Sequence, residues 1–257
     1  MTLPELDPTR PRIAVLGDVH LGRGSAFARV LDHVRAQEAD GLLLVGDLVA
    51  GPLMAHNQTD PGVLAGYHAT LAQLFHALDG LELPYLWVPG NHDLPHLGRG
   101  GTGGSYPGNV DGDVALLAGL RVAGIGGAGP DAFGFCYEWR EAEIAAREVP
   151  DCDVLLCHAP PRDSGLDRTF RGGRAVGSAA IRARALTHAG ALVCGHIHES
   201  PGAVALGRCL AVNPGGIGAP YGAARLAWLH GLTRATLVAL DPCEVVAFDL
   251  GNREQTG

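Results

Sequence analysis

Short continuous apolar runs alternate with helix-spaced apolar positions along the first part of the chain. The continuous runs have strand length and lie at 13–16, 42–45 and 83–88. Runs of this kind are typical of parallel strands that are buried on both faces. Helical spacing separates them, at 27–34 after a possible N-cap at Ser25, and again at 64–78. This order predicts βαβ units and a mostly parallel sheet.

The same alternation continues into the second part and then changes. A strand pair is predicted at 114–117 and 120–125, with a turn at Ala118 and Gly119. Further elements follow as a helix at 141–149, a strand at 154–157, a helix from the cap Ser178 to about His188, and a strand at 192–194. Beyond them, short apolar runs separated by Gly, Pro and Asn predict five antiparallel strands at 204–206, 209–212, 226–228, 235–239 and 245–248.

No linker or internal repeat interrupts this order, so we predict a single α/β domain over 1–257, with a flexible N-terminal arm at 1–11. The arm lacks the apolar core of a signal peptide, and no apolar run approaches the ~20 residues of a membrane-spanning helix. Two Gly-rich loops, at 94–113 and 162–177, are the irregular parts. The first is either a rim over a pocket or a plain connector, and either loop could gate a site.

Polar side chains follow the predicted strands at the points where they end. They are Asp18, His20, Asp47, Asn91, His92, Asp93, His158, His196 and His198. Ligands of parallel sheets bind beyond the carboxyl ends of the strands, so we expect these side chains to converge. For the run 91–93 an ordinary turn is the conformational alternative, since Asn and Asp favour turns.

This mixture of carboxylate, imidazole and amide is too rich for one metal, because a structural zinc site takes four ligands, usually including thiolates. It fits two ions that share a bridging carboxylate, ~3.5–4 Å apart. Imidazole with carboxylate suits transition metals better than calcium or magnesium. We expect manganese first, with iron, zinc, cobalt or nickel as alternatives.

Charge and cysteine content narrow the class of protein. The net charge of −8 argues against non-specific nucleic-acid binding, which needs a basic surface. The six cysteines form no Cys-x-x-Cys pair and do not predict a disulfide framework in a chain of 257 residues. Free thiols indicate a reducing compartment, and we therefore expect a cytoplasmic protein.

Five motifs resemble, in order, those of the calcineurin-like metallophosphoesterase superfamily. They are Asp-x-His at 18–20, Gly-Asp at 46–47, Gly-Asn-His-Asp at 90–93, His158 within Cys-His-Ala-Pro-Pro, and Gly-His-x-His at 195–198. The resemblance implies a four-layer α-β-β-α sandwich with two mixed β-sheets face to face.

Within that superfamily, the His158 motif and Asn213-Pro214-Gly215 are similar to the small Icc-related phosphoesterases. That group is linked to cyclic nucleotides and model diesters. The chain departs from protein Ser/Thr phosphatases, which carry Asp-Arg-Gly after the second motif and Glu at the end of the third. Here Asp47 is followed by Leu48-Val49, and the third motif ends in Asp93.

The resemblance also implies roles for individual residues. One metal would be held by Asp18, His20, Asp47 and His198. The second would be held by Asp47, Asn91, His158 and His196. Asp47 would bridge the ions, with a hydroxide between them as nucleophile. His92 would act as general acid at the leaving oxygen, with Asp93 as its partner.

We therefore predict a binuclear metal-dependent phosphohydrolase, and within that class a phosphodiesterase for small phosphodiesters such as cyclic nucleotides. Two divalent ions and the carboxylates of Asp18 and Asp47 leave two positive charges, which a hydroxide and a singly charged diester neutralise. The alternatives are a phosphomonoesterase or nuclease of the same superfamily, or a non-catalytic scaffold on this fold. As partner we expect a small phosphoester substrate, and neither membrane nor nucleic acid; the oligomeric state stays open.

Overall fold

The structure, a computed structural model, describes residues 10–22, 25–97, 106–170, 173–217, 224–241 and 243–250. Its helices are α1 (Phe27–Arg35), α2 (Pro61–Asp79), α3 (Glu141–Ala146) and α4 (Ala179–Thr187). The strands of its first half are β1 (Arg12–Leu16), β2 (Gly41–Leu44), β3 (Tyr85–Trp87), β4 (Val114–Leu117) and β5 (Leu120–Ile125). Those of its second half are β6 (Val154–Cys157), β7 (Ala191–Val193), β8 (Gly202–Leu206), β9 (Cys209–Asn213), β10 (Arg225–His230), β11 (Arg234–Leu240) and β12 (Cys243–Asp249).

The strands form two mixed six-stranded sheets. The order of the first is β12-β11-β10-β1-β2-β3, and that of the second is β4-β5-β6-β7-β9-β8. In the first sheet β1, β2 and β3 are parallel, while β10 runs antiparallel to β1. In the second, β5, β6, β7 and β9 are parallel, and β4 and β8 are antiparallel edges. The carboxyl ends of β1, β2, β3, β6 and β7 carry the residues singled out above.

Alternate side chains along each central strand enter different cores, because successive residues of a strand point to opposite faces. Ile13 and Val15 pack with Val154 and Leu156 between the sheets. Residues 14 and 16 instead pack against α1 and α2, and residues 155 and 157 against α3 and α4. The four-layer α-β-β-α sandwich is therefore confirmed.

Two predicted helix ends need correction. Helix α1 has Ala26 as its N-cap; Ser25 Oγ accepts a hydrogen bond from Phe27 N, which tightens the turn before the helix. Helix α3 ends at Ala146, three residues short of the expected end at 149. The last five strands pair antiparallel with one another, as predicted, but they are divided between the sheets: β8 pairs with β9 in the second, and β10, β11 and β12 pair in the first. The cap at Ser178 is confirmed, since its Oγ accepts from Ile181 N.

Most of the predicted arm, and residues 98–105 of the first Gly-rich loop, lie outside the described residues. Pro11, at the end of the arm, accepts a hydrogen bond from Gly231 N through its carbonyl. The end of the loop is built into the sheet, because Trp87 N donates to Gly108 O and Val110 N donates to Trp87 O.

In the described part of the chain, no helix combines the length and the apolarity that crossing a membrane requires. No disulfide joins any of the six cysteines, and a cytoplasmic location stays a prediction.

Candidate metal centre

Unusual backbone conformations place the candidate metal ligands at the ends of the strands. His20, Asp47 and His196 have φ values of 41°, 49° and 67°, in the left-handed region that side chains rarely adopt. Strain of this kind persists only where the surrounding structure enforces it, and it concentrates at functional sites. The chain thus turns sharply after β1, β2 and β7 and directs these residues towards one place.

Glycines beside the ligands allow the backbones to approach closely. A Cβ on Gly90 would stand 2.1 Å from Asp47 Oδ1 and 2.3 Å from its backbone nitrogen. A Cβ on Gly195 would stand 2.8 Å from Asp18 Oδ2. Glycine at 90 and 195 is therefore required by packing around the two carboxylates, in addition to any preference of the turn.

The first group of donors consists of Asp18, His20, Asp47 and His198, with ligand atoms that all lie within 4.8 Å of one another. His198 Nε2 is 3.2 Å from Asp18 Oδ1, and His20 Nε2 is 3.5 Å from Asp47 Oδ2. The two imidazole Nε2 atoms are 3.4 Å apart. This is the set expected to hold one of the two metals, and the fold brings all of it together.

The second group lies on the other side of Asp47. His158 Nε2 is 2.9 Å from Asn91 Oδ1 and 3.6 Å from Asp47 Oδ1. The imidazole of His196 packs edge-on against that of His158, with ring centroids 5.1 Å apart. The two oxygens of Asp47 thus face different histidines, Oδ2 towards His20 and Oδ1 towards His158. A carboxylate shared by two ions needs this arrangement.

The second group fits a cation because the Nε2 atom of His158 faces two oxygens, those of Asn91 and Asp47. His158 Nδ1 lies 2.6 Å from the carbonyl oxygen of Val45, which can only accept, so Nδ1 carries the proton. In a neutral ring Nε2 is then a lone-pair acceptor, and it faces the oxygens of Asn91 and Asp47. A second hydrogen bond that fixes the tautomer is typical of metal-ligating histidines. A divalent ion would satisfy this set.

Burial and neighbouring charges set the protonation of the donors. Burial would raise the pKa of Asp18, but the imidazoles of His198, His158 and His20 outweigh it and hold that pKa well below its usual range. Burial, together with the nearby His158, lowers the pKa of His196 to about 3. Burial would also lower the pKa of His198, but Asp18 outweighs it and raises that pKa to about 9. Metal uptake should therefore release a proton from His198, because a ligating imidazole must be neutral.

His92 lies at the mouth of this centre. Its backbone nitrogen donates to Asp47 Oδ1 at 3.0 Å, and its Nε2 is 4.0 Å from Asp47 Oδ2. The side chain is 31% exposed, whereas that of Asp47 is 2% exposed. The imidazole therefore faces both the carboxylate centre and solvent, a suitable position for exchanging protons with a bound molecule.

Asp93 points away from the imidazole it was expected to support. Its carboxylate accepts from Gly90 N at 2.8 Å, from Leu48 N at 3.2 Å and from Tyr67 Oη at 3.0 Å. Within the described residues no hydrogen bond joins it to His92. Burial, with the charge of Asp47, raises the pKa of Asp93 to about 6, so it is ionised at neutral pH. Asp93 thus ties the turns after β2 and β3 to helix α2, and its expected role as partner of His92 has no hydrogen bond to support it.

Asn213 holds the segment that carries His196 and His198. Its amide nitrogen donates to Ile197 O at 3.0 Å and to Leu166 O at 3.2 Å, while its Oδ1 accepts from Gly215 N at 2.8 Å. Asn213 is fully buried. The Asn-Pro-Gly sequence therefore has a structural function, since it joins the last motif to the 162–177 loop.

A family model described as calcineurin-like phosphoesterase matches residues 11–200, which include every candidate metal ligand described above. The chain belongs to the calcineurin-like phosphoesterase family. Membership identifies it as a metal-dependent phosphoesterase, a hydrolase, and the donor cluster agrees with this. Within the family, two divalent ions are the usual cofactor. A search of curated proteins found no match.

One of the similar solved structures, the first described here, supports this fold; the other two are less similar. A dimetal phosphatase from Danio rerio has a TM-score of 0.58 at 12% identity, covering 93% of this chain and 99% of that one. A Vps29 mutant from Entamoeba histolytica has a TM-score of 0.47 at 16% identity, covering 93% and 99%. A predicted phosphoesterase from Streptococcus pneumoniae has a TM-score of 0.44 at 16% identity, covering 95% and 99%.

The sequence did not point to two features of this phosphoesterase site. The carbonyl of Val45 orients His158, but a backbone carbonyl leaves no sequence signal. Phe135 packs on His92 with ring centroids 4.1 Å apart. Its signal was the Phe-Gly-Phe sequence at 133–135, where aromatic residues flank a glycine in a loop.

Proposed function

We propose that this phosphoesterase hydrolyses small phosphodiesters, such as cyclic nucleotides, with two divalent ions bound at Asp47. The position of Asp47 between His20 and His158 carries the proposal. Under this proposal, one ion is held by Asp18, His20, Asp47 and His198, and the other by Asp47, Asn91, His158 and His196. Manganese is the preferred ion, because mixed imidazole and carboxylate ligands suit it.

The ions, when bound, would supply Lewis acidity that offsets phosphate charge and lowers the pKa of water from about 15.7 towards 7. The protein supplies position and proton transfer. Asp18 and Asp47 stay ionised through their neighbouring imidazoles, so the site is charged for metal uptake at neutral pH. His92, half-exposed at the mouth, donates a proton to the leaving oxygen, a task suited to an imidazole near neutral pH.

Charge favours a diester over a monoester. Two divalent ions with Asp18 and Asp47 leave two positive charges, which a hydroxide and a singly charged diester balance. A doubly charged monoester adds one negative charge too many. The resemblance to the Icc-related branch points the same way.

A panel assay tests this proposal. Purified protein with added manganese should hydrolyse bis(p-nitrophenyl) phosphate and cyclic nucleotides with higher kcat/KM than p-nitrophenyl phosphate. A clear preference for the monoester would assign the protein to phosphomonoesterases. Preference for polynucleotides would assign it to nucleases. Absence of turnover on every ester with two ions bound would favour a non-catalytic scaffold.

A further inference from the structure

Two phenylalanines stand on the side of the site where His92 lies. Phe135 packs against the His92 ring with centroids 4.1 Å apart, and Phe133 lies 6.3 Å from Phe135. Phe133 is 66% exposed, although burying an aromatic ring ordinarily stabilises a fold. Together they extend an aromatic surface outward from the proposed general acid.

The loop that presents these rings is firmly held. The carboxylate of Glu138 accepts from Phe133 N at 3.0 Å and from Gly134 N at 2.8 Å. Gly134 O accepts from Ala55 N at 3.0 Å. Below the tip, Tyr137 N donates to Asn91 O at 3.1 Å, next to His92. The exposure of Phe133 is therefore maintained by specific bonds, and the two rings keep a fixed position relative to the ligand-bearing turn.

The chemistry of the loop defines what it can bind. Residues 126–138 contain no Arg, Lys or His, and their charged side chains are Asp131 and Glu138. A leaving group that carries further phosphates would find no cation on this loop. A flat, uncharged ring would find an aromatic surface on which to stack, and stacking of a base on an aromatic side chain is favourable.

We propose that Phe133 and Phe135 form an aromatic wall that stacks against the leaving group of the substrate, and that this group is a nucleobase-bearing or aryl moiety without additional phosphates. The assignment to the leaving-group side rests on the proposed function, through the role of His92. The wall determines specificity and takes no part in bond cleavage.

Binding of AMP and of ribose 5-phosphate tests the wall, because both carry the same phosphate and only AMP carries a base. Calorimetry on manganese-loaded protein should show AMP binding roughly five- to a hundredfold more tightly. Phe133→Ala and Phe135→Ala should each reduce this ratio, and the double variant should bring it near one. Phe133→Tyr should keep the ratio, whereas Phe133→Leu, apolar but without a ring, should not.

The matched control is Leu116→Ala, which removes a 71% exposed apolar side chain from β4 and should leave the ratio unchanged. Thermal unfolding should be unaltered in Phe133→Ala, because its side chain is mostly exposed. Equal binding of AMP and ribose 5-phosphate by wild-type protein would contradict the proposed stacking on the wall. A preference for AMP that survives in the double variant would contradict it as well. Failure to hydrolyse any phosphoester, with the AMP preference intact and lost in the double variant, overturns the proposed function and the assignment to the leaving-group side. The wall would then stand only as a surface that stacks a base.

Discussion

His158 donates a hydrogen bond of 2.6 Å from its Nδ1 to the carbonyl oxygen of Val45, across the interface of the two sheets. Val45 directly follows β2, and His158 directly follows β6, so this one bond links the strand ends that carry the site. It also fixes the free lone pair of the imidazole on Nε2, which faces Asn91 and Asp47. The packing of the two sheets thereby sets the geometry of the second donor group.

Asp47→Asn should remove metal, because the two oxygens of Asp47 face different donor groups, Oδ2 at 3.5 Å from His20 Nε2 and Oδ1 at 3.6 Å from His158 Nε2. Asn keeps one oxygen but loses the charge that two ions would share. We expect metal content, measured by plasma mass spectrometry after saturation and desalting, to fall from two ions per chain to one or fewer. The control is Asp241→Asn, at a side chain 76% exposed, where metal content should not change. Retention of two ions in Asp47→Asn would contradict the bridging role.

Gly90→Ala should also impair metal binding, by a steric route. The added Cβ would stand 2.1 Å from Asp47 Oδ1 and 2.3 Å from its backbone nitrogen, so the carboxylate must move. Gly66→Ala is the control, because a Cβ there meets nothing within 4 Å in helix α2. That change should raise unfolding stability by about 0.5–1 kcal/mol, as Ala replaces Gly inside a helix. Full metal content in Gly90→Ala would show that Asp47 tolerates displacement.

His92→Ala should slow catalysis without loss of metal. Removing a general acid typically costs about 10²–10⁴-fold in rate, and the loss should be larger for phenyl than for p-nitrophenyl leaving groups, since the better leaving group needs less protonation. Steady-state kinetics on matched aryl phosphodiesters, alongside metal analysis, measures both. An equal rate loss for the two leaving groups would remove His92 from proton transfer.

Acid should destabilise the fold through His230, at the end of β10. Burial, with the charges of Arg12 and Arg234, lowers the pKa of His230 to about 4. Because the pKa of an unfolded histidine is ~6.5, its stabilising contribution is complete above that pH and is lost as the pH falls towards 4. In His230→Gln, which can still bond Thr236, the Tm should fall less between pH 7 and pH 4.5 than in wild type. Chelation of both proteins removes pH-dependent metal loss from the comparison, and the donor cluster then titrates equally in both. Parallel Tm curves would contradict this account.

The sequence predicted the strand ends well because the motif residues follow continuous apolar runs. Asp18, Asp47 and His158 each come one to three residues after a strand, and a parallel sheet brings such ends together. The contacts of Asp93 could not be predicted from the sequence, because Tyr67, which donates a hydrogen bond to it, lies 26 residues earlier on helix α2. The distribution of the last strands between two sheets was equally hidden, because alternation along a strand does not identify its neighbour.

The arrangement of two ions around Asp47 is the central claim, and anomalous X-ray scattering from crystals saturated with manganese tests it most directly. We expect two anomalous peaks about 3.5–4 Å apart, one beside Asp47 Oδ2 and His20, the other beside Asp47 Oδ1 and His158. A single peak, or two peaks with Asp47 bound to only one of them, would contradict the account.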